Sequence, residues 1–181
     1  MMESATLQLS TPNNIYDDPI DLRVAEFIGS PKINTLPGAV DAEGRVSAAG
    51  LVLQRRALST AGSVTVAIRP EHLEPAAASA GNAVPVRLVH LENLGADVFV
   101  HGVVERAGPA KEQRLVARAL PEIAQSFEVG QDARFALTRG EAMVFGADDQ
   151  RIPLEPPSET AAQTGPETAP ENAPETMLRR A

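Results

Sequence analysis

The sequence predicts a mainly β protein: a small barrel or sandwich of short strands, preceded by two short helices and followed by a disordered tail. Three observations carry this. In Val64-Thr65-Val66-Ala67-Ile68-Arg69 the branched residues Val64, Val66 and Ile68 share one face, the period-two pattern of a half-buried strand. Two longer segments of similar character, Val84 to Leu94 and Asp97 to Arg106, are separated only by Gly95-Ala96, which suits a tight antiparallel hairpin. After Ile152 the composition collapses into Pro-Glu-polar-small repeats, "GPETAPENAPET" over Gly165 to Thr176. Such a segment has too little apolar surface to offset its ordering entropy.

The elements follow in order. Thr11-Pro12 has the form of a helix start, a hydroxyl cap followed by Pro at the first helical position, and Asn13 to Tyr16 complete one turn. Asp17-Asp18-Pro19 breaks it and offers a second acidic start. From Ile20 the apolar positions Leu22, Val24, Ala25, Phe27 and Ile28 fall mostly at helical spacing until Gly29-Ser30-Pro31 stops the run. Helices this short are not stable alone, so Leu22, Val24, Phe27 and Ile28 are expected to lie against the barrel.

Ile33 to Val40 reads as extended, with Pro37-Gly38 as a kink or bulge. Asp41 to Gly44 is a turn, and Arg45 to Ala48 and Leu51 to Gln54 are weak strands. In "VAIRPEHLEP" (Val66 to Pro75) Pro70 has no amide to give a ladder, so the strand ends at Arg69. Glu71 and His72 then enter a short turn, with Arg69 placed to bond that turn or a neighbouring loop. Beyond the hairpin come Arg114 to Leu120, Ala133 to Thr138 and Ala142 to Phe145. The expected division is 1–30 for the helices, 31–152 for the barrel and 153–181 for the tail.

Composition narrows the function classes. There are no cysteines, which excludes a disulfide framework, a thiol nucleophile and a cysteine zinc site. Hydrophobic residues make up 43% and aromatics 3%, so the core is expected to be Val, Leu, Ile and Ala. A net charge of −8 repels phosphate backbones, and the few aromatics leave no stacking platform, so no nucleic-acid partner is expected. No apolar run approaches the roughly 20 residues that span a bilayer, and "MMESATLQLSTP" lacks the form of a signal peptide. The expectation is a soluble cytoplasmic protein with no direct membrane insertion.

Catalytic chemistry finds no footing. A phosphate-binding loop needs Gly-x4-Gly-Lys-Ser/Thr, and the only lysines, Lys32 and Lys111, follow Pro31 and Ala110. No apolar strand ends in Asp-Glu, and no Gly-x-Ser-x-Gly elbow occurs. His90 and His101 are expected to face each other across the hairpin as a solvated or hydrogen-bonded pair rather than as metal ligands. Asp17-Asp18 and Asp148-Asp149 read as helix entry and loop solvation. No catalytic, cofactor-binding or metal-ligating residue is assigned.

The run "STPNNIYDDPIDLRVAEFIGSPKINTLPG" resembles the segment that follows the nucleotide-binding domain in ATPase subunits of maltose- and glycerol-phosphate-type ABC importers. Thr11, Pro12, Ile15, Tyr16 and Pro19, then Phe27 to Pro31, Asn34 and Leu36, carry it. Ile68 to His72 resemble the Ile-Arg-Pro-Glu-His strand end of the same family's regulatory domain. "ENLGADVFVHG" (Glu92 to Gly102) is similar to its next hairpin, and Phe127 to Phe145 to its closing strands. One departure is Gly146, which follows Phe145 where the family usually has Asp.

The resemblance implies a TOBE domain, an OB-like barrel that pairs with a second copy and receives regulatory proteins. ATP and Mg would belong to a nucleotide-binding domain N-terminal to this chain, and the double Met start is expected to mark a truncated or split frame or a stand-alone module. The implied partners are a second copy, held weakly through the barrel, transporter ATPase and permease subunits, and regulatory proteins at the inner face of the plasma membrane. Candidate motif or interface residues are Asn34, Arg69, Pro70, Glu71, His72 and Gly95. For Asn34 a turn contact is favoured over a partner contact. For the corner at Arg69 to His72 the favoured role is closing the barrel, and for Gly95 tight-turn geometry. The alternative is a free-standing small-ligand or oxyanion-binding barrel of the molybdate-binding type.

Overall fold

In a computed structural model, which describes residues 8, 11–59, 61–104, 112–138 and 142–156, the two short helices come first. α1 (Pro12–Asp17) is capped by Thr11, whose hydroxyl accepts from the Asn14 amide. α2 (Leu22–Phe27) is capped by Asp21, whose carboxylate accepts from the Arg23 amide. At six residues each, they depend on what they pack against.

Eleven strands follow among the described residues: β1 (Asn34–Val40), β2 (Val46–Ala48), β3 (Leu51–Val52), β4 (Gly62–Ile68), β5 (Leu73–Ala76), β6 (Val84–Asn93), β7 (Val98–Val104), β8 (Arg114–Ala119), β9 (Asp132–Leu137), β10 (Ala142–Phe145) and β11 (Arg151–Ile152). A 3-10 turn, Pro70–His72, separates β4 from β5, and a one-turn helix α3 (Pro121–Ala124) follows β8. All pairings are antiparallel. One sheet has the order β11-β10-β4-β1-β2-β3, the other β5-β9-β6-β7-β8. The mainly β class read from the sequence is what the chain adopts.

The two sheets share one core. Val64, Val66 and Ile68 of β4 point into it as their alternation demands, meeting Leu36, Val86, Leu88, Val100, Leu115 and Phe135. Phe135 is the aromatic centrepiece, and the surrounding aliphatics match a core built with few aromatics. A second, smaller cluster lies on the outer face of the six-stranded sheet, where Ala67, Met143 and Phe145 meet Ile33 and Ala25, with Leu22 packed against them. This explains why all four residues of β10 are buried: a strand covered on both faces reads as a continuous apolar run.

Phe27 departs from the expected packing. Asp21, Val24 and Ala25 take the inward face of α2, which leaves Phe27 on the opposite side, 88% exposed. β5, β11 and α3 were not anticipated. β5 pairs only with β9, and Pro75 is tolerated in it because it lies at a sheet edge.

The β6–β7 hairpin turns at Leu94–Asp97. Gly95 takes φ +89, which a residue with a side chain rarely adopts, and the Asn93 carboxamide accepts from its amide at 2.8 Å. A bulge between Leu88 and His90 shifts the register, so His90 stands opposite His101 with ring centroids 5.4 Å apart.

Two carboxamides close the gap between the sheets. Asn34 is buried at the start of β1. Its Oδ1 accepts from the Val116 amide at 2.7 Å, and its Nδ2 donates to the Val116 carbonyl at 2.8 Å and the Ile68 carbonyl at 3.1 Å. Gln113 Nε2 donates to the Thr35 carbonyl at 2.7 Å. Asn34 therefore bonds a strand of the other sheet, and the turn contact favoured from sequence is corrected. A turn was the wrong partner because β8 is an edge strand whose outward amide and carbonyl need pairing. The edge at β3 is treated alike: the Val52 amide donates to Asn82 Oδ1 at 2.6 Å, and Asn82 Nδ2 donates to the Val52 carbonyl at 3.1 Å.

At the C-terminal end the ordered run passes the expected boundary at 153. Leu154 is buried in the core and bridges Ala57, the Glu155 amide donates to the Arg56 carbonyl at 2.8 Å, and Arg55 reaches the Leu154 and Glu155 carbonyls. Leu154 is the last bulky apolar residue before the Pro-rich stretch, and it fills a core position. The rest of the expected tail, 157–181, lies outside the described residues, as do 1–7, 9 and 10.

Candidate functional site: a buried arginine beneath the N-terminal helices

The corner after β4 is built by Pro70. It takes the first position of the 3-10 turn, where no amide is missed, and leaves Arg69 extended at φ −66°, ψ 145°. The Thr138 amide and hydroxyl donate to the His72 carbonyl at 2.9 and 3.0 Å, fixing the turn to the end of β9. The Arg69 side chain then runs under the helices and is 1% exposed, the largest of the fully buried side chains.

Its guanidinium meets the ends of both helices. Nη2 donates to the Tyr16 carbonyl at 2.8 Å, and Nη1 to the Ile28 carbonyl at 2.6 Å and, more distantly, the Ala25 carbonyl at 3.5 Å. These oxygens belong to the last turns of α1 and α2, where unpaired carbonyls concentrate negative partial charge. One cation thus caps two helix C-termini. The guanidinium carbon also lies 3.8 Å from the centroid of the Tyr16 ring, and the Tyr16 hydroxyl donates to Glu71. Gly29 makes room. It has φ +113, and a side-chain carbon there would come within 3.0 Å of Arg69 Nη1.

Burial shapes the charges. Removal from water pulls the Arg69 guanidinium below its ordinary range, opposed by the nearby Tyr16, Glu71 and Asp17. Burial first, then the hydrogen bond to Glu71, pushes the Tyr16 phenol up to about 12. At the start of α2, Asp21 accepts from Arg23 Nε and Nη2 at 2.9 and 2.8 Å and from Gln150 Nε2 at 3.0 Å. Those bonds, Arg23's first, hold its carboxyl down at about 2. Main-chain bonds continue the fastening: Leu22 donates to Asp149 at 2.9 Å and Arg151 to Ile20 at 3.0 Å. The corner opened by Gly146 is satisfied internally, with its amide donating to the Gln150 carbonyl at 2.9 Å.

Of the residues singled out in the sequence, Arg69, Pro70, Glu71 and His72 share this corner, Asn34 lies at the adjoining sheet junction, and Gly95 sits in the hairpin turn. The contact of Arg69 is neither its own turn nor a barrel loop but the N-terminal arm. Tyr16 and Gly29 were missed as site residues. A signal existed: neither α1 nor α2 carries a basic residue in its last turn, so a cation from elsewhere is called for. The arrangement pairs no nucleophile with a base, and among the described residues no group of three or more His, Asp or Glu side chains gathers as a metal site. What the geometry does is hold the N-terminal arm against the barrel.

Residues 66–145 match the TOBE domain family. The matched stretch begins within β4 and ends with β10, so Arg69 and Glu71 lie inside it while Tyr16 lies outside. The chain is 43% identical over 98 residues to the sn-glycerol-3-phosphate import ATP-binding protein UgpC of Ruegeria pomeroyi, covering 54% of this chain and 27% of that protein. Its likeness to UgpC of Yersinia pestis bv. Antiqua is 38% over 108 residues, 57% of this chain and 30% of that protein. To the diacetylchitobiose uptake system ATP-binding protein MsiK of Streptomyces coelicolor it is 37% over 139 residues, 64% and 36%. The chain therefore spans about a third or less of these relatives' length. A solved structure of the cytoplasmic molybdate-binding protein ModG with molybdate bound is similar at a TM-score of 0.47 and 14% identity, over 61% of this chain and 94% of that one. That likeness is too loose to bear on ligand or mechanism. No helix among the described residues is long and apolar enough to cross a membrane.

Proposed function

We propose that this chain acts as the non-catalytic regulatory and dimerisation part of an ATP-binding subunit in an ABC importer of the sugar or glycerol-phosphate type. The observation that carries the reading is the TOBE match over 66–145, together with 37–43% identity to import ATP-binding proteins. ATP and Mg would be handled by a nucleotide-binding domain outside this sequence, with transporter ATPase and permease subunits as partners at the inner face of the membrane. The fastening of residues 11–30 to the barrel supports the reading, because a regulatory domain acts only if its connection to the rest is mechanically defined. Self-association is expected to be weak. Leu94 and Leu120, 61% and 55% exposed, and Ile123 follow the ends of β6 and β8 and offer modest apolar surface for it.

The test is a chimera. Residues 11–156 replace the corresponding C-terminal region of a UgpC-type subunit in cells that depend on sn-glycerol 3-phosphate import. Restored uptake is expected, and a stable chimera that binds its permease yet imports nothing sinks the proposal. Calorimetric titration of the isolated chain with molybdate, tungstate and sulfate addresses the alternative, an oxyanion-binding barrel. No heat is expected, and tight binding would replace one reading by the other.

A further inference from the structure

We propose that α1 is a releasable strap, and that its release exchanges the Tyr16–Glu71 hydrogen bond for an Arg69–Glu71 ion pair. The proposal stands on four features of the arm. First, α1 buries none of its residues, whereas α2 buries Val24 and Ala25. Little apolar burial therefore opposes the departure of α1, and local opening is cheapest where few apolar contacts are lost.

Second, the segment just after α1 is separately anchored. Asp21 bridges Gln150, the Leu22 amide donates to Asp149, and the Arg151 amide donates to the Ile20 carbonyl. Motion of α1 thus ends at Asp18-Pro19 and leaves α2 in place, with Ile28 still bound to Arg69.

Third, the guanidinium is only half used on one edge. Nε is buried without a partner, while Nη2 on the same edge is spent on the Tyr16 carbonyl. All the acceptors of Arg69 are neutral carbonyls. A buried cation that meets no carboxylate is poorly compensated, and a guanidinium edge with both donors free is the geometry that takes a carboxylate side-on.

Fourth, a carboxylate stands two residues away and is occupied by the strap itself. Glu71 accepts the Tyr16 hydroxyl. When α1 lifts, Glu71 loses that donor at the moment Arg69 loses the Tyr16 carbonyl and ring. The two opposite charges then pair on the corner they share. Closed and open states each satisfy Glu71, which is what makes the element two-state rather than merely frayed. Within the proposed function the strap is a joint between the barrel and whatever precedes it, but the inference does not depend on that reading.

Hydrogen exchange on the full chain, followed by mass spectrometry, tests this with two variants. In the native chain the α1 amides that close the helix, Ile15 and Asp18, are expected to exchange at least 100-fold faster than the amides of β4. Tyr16→Phe removes the closed-state bond to Glu71 and should speed α1 exchange about tenfold more, with β4 protection unchanged. Glu71→Gln is the deciding variant. Gln still accepts the Tyr16 hydroxyl but forms no ion pair with Arg69, so the open state alone suffers and α1 exchange should slow below the native rate. If Glu71 is only a structural partner of Tyr16, Glu71→Gln speeds exchange as Tyr16→Phe does, and that outcome overturns the proposal. Exchange of α1 at the same rate as β4 also overturns it, since the helix would then open only with the whole fold.

Discussion

On its inner face the six-stranded sheet meets the second sheet through Leu36, Val66, Ile68 and Val144, all fully buried, and the contact extends the length of the barrel. On its outer face it meets Ile33 and, from the arm, Ala25 and Leu22, and one guanidinium supplies much of the polar fastening. The same strands β4 and β10 thus carry two interfaces of different kinds. The inner one is held by area, which is non-directional and shared among many side chains. The outer one rests on a few directed contacts, each of which is individually removable. Two polar residues near the ends of paired strands repeat the contrast. Asn34 has every amide group satisfied by backbone. Arg69 keeps one nitrogen unpaired.

That difference predicts how substitutions should divide, and the largest effect belongs to the inner face. Phe135→Ala is expected to cost about 3–5 kcal/mol of global stability in urea unfolding, as for other buried aromatic truncations. A loss below about 1 kcal/mol would mean that the two sheets do not share a core.

Asn34→Ala comes next. It leaves the Val116 amide and carbonyl without their cross-sheet partner, and about 2 kcal/mol is expected from the usual cost of unmet buried groups. This loss should also appear in the global transition. If only the arm responds, the junction between the sheets is not where the barrel is closed.

Effects on the outer face should be local and pH-dependent. Tyr16 is the only tyrosine and there is no tryptophan, so its phenolate absorbance can be titrated directly. The raised value, about 12 against an ordinary 10.0, favours the neutral phenol in the folded state. The stability it adds is complete below pH 10 and is lost as pH rises toward 12. Asp21 works in the opposite direction. Its value of about 2 against an ordinary 3.8 means a contribution complete above pH 4 and lost as pH falls toward 2. The arm should therefore loosen at both extremes while β4 stays protected. A Tyr16 titration midpoint near 10 would show that the phenol is not held as described.

The smallest effect is expected at Phe27. With its ring in solvent, Phe27→Ala should change stability by no more than about 0.5 kcal/mol. A loss of 2 kcal/mol or more would place the ring inward and undo the contrast between the faces.

The parts of this arrangement that were legible in sequence are those fixed by local chemistry. Val64, Val66 and Ile68 declare a strand by alternation, Pro70 declares its end, and Gly95 declares the hairpin turn. Thr11-Pro12 declares a helix start for the same reason. What escaped depends on pairing across the chain. Nothing in the residues around Arg69 says that its partners are 41 and 53 positions earlier. β5 escaped because Glu74 and Pro75 look like turn residues until β9 is beside them. Phe27 was misplaced because a six-residue helix is too short for spacing alone to decide which apolar side chains face inward.

The Asn82 carboxamide that occupies Val52 has a consequence for how copies of this protein behave when crowded. An edge strand with a free amide and carbonyl is a template on which another chain can lay down a strand, and the end product of that process is aggregation. Asn82 binds both groups of Val52 without being a strand itself. The template is therefore filled by a side chain that offers no next edge. Copies that meet at high concentration are denied this edge as a place to extend one another's sheets, and an assembly that cannot propagate along an edge closes where an edge-built one would continue to grow.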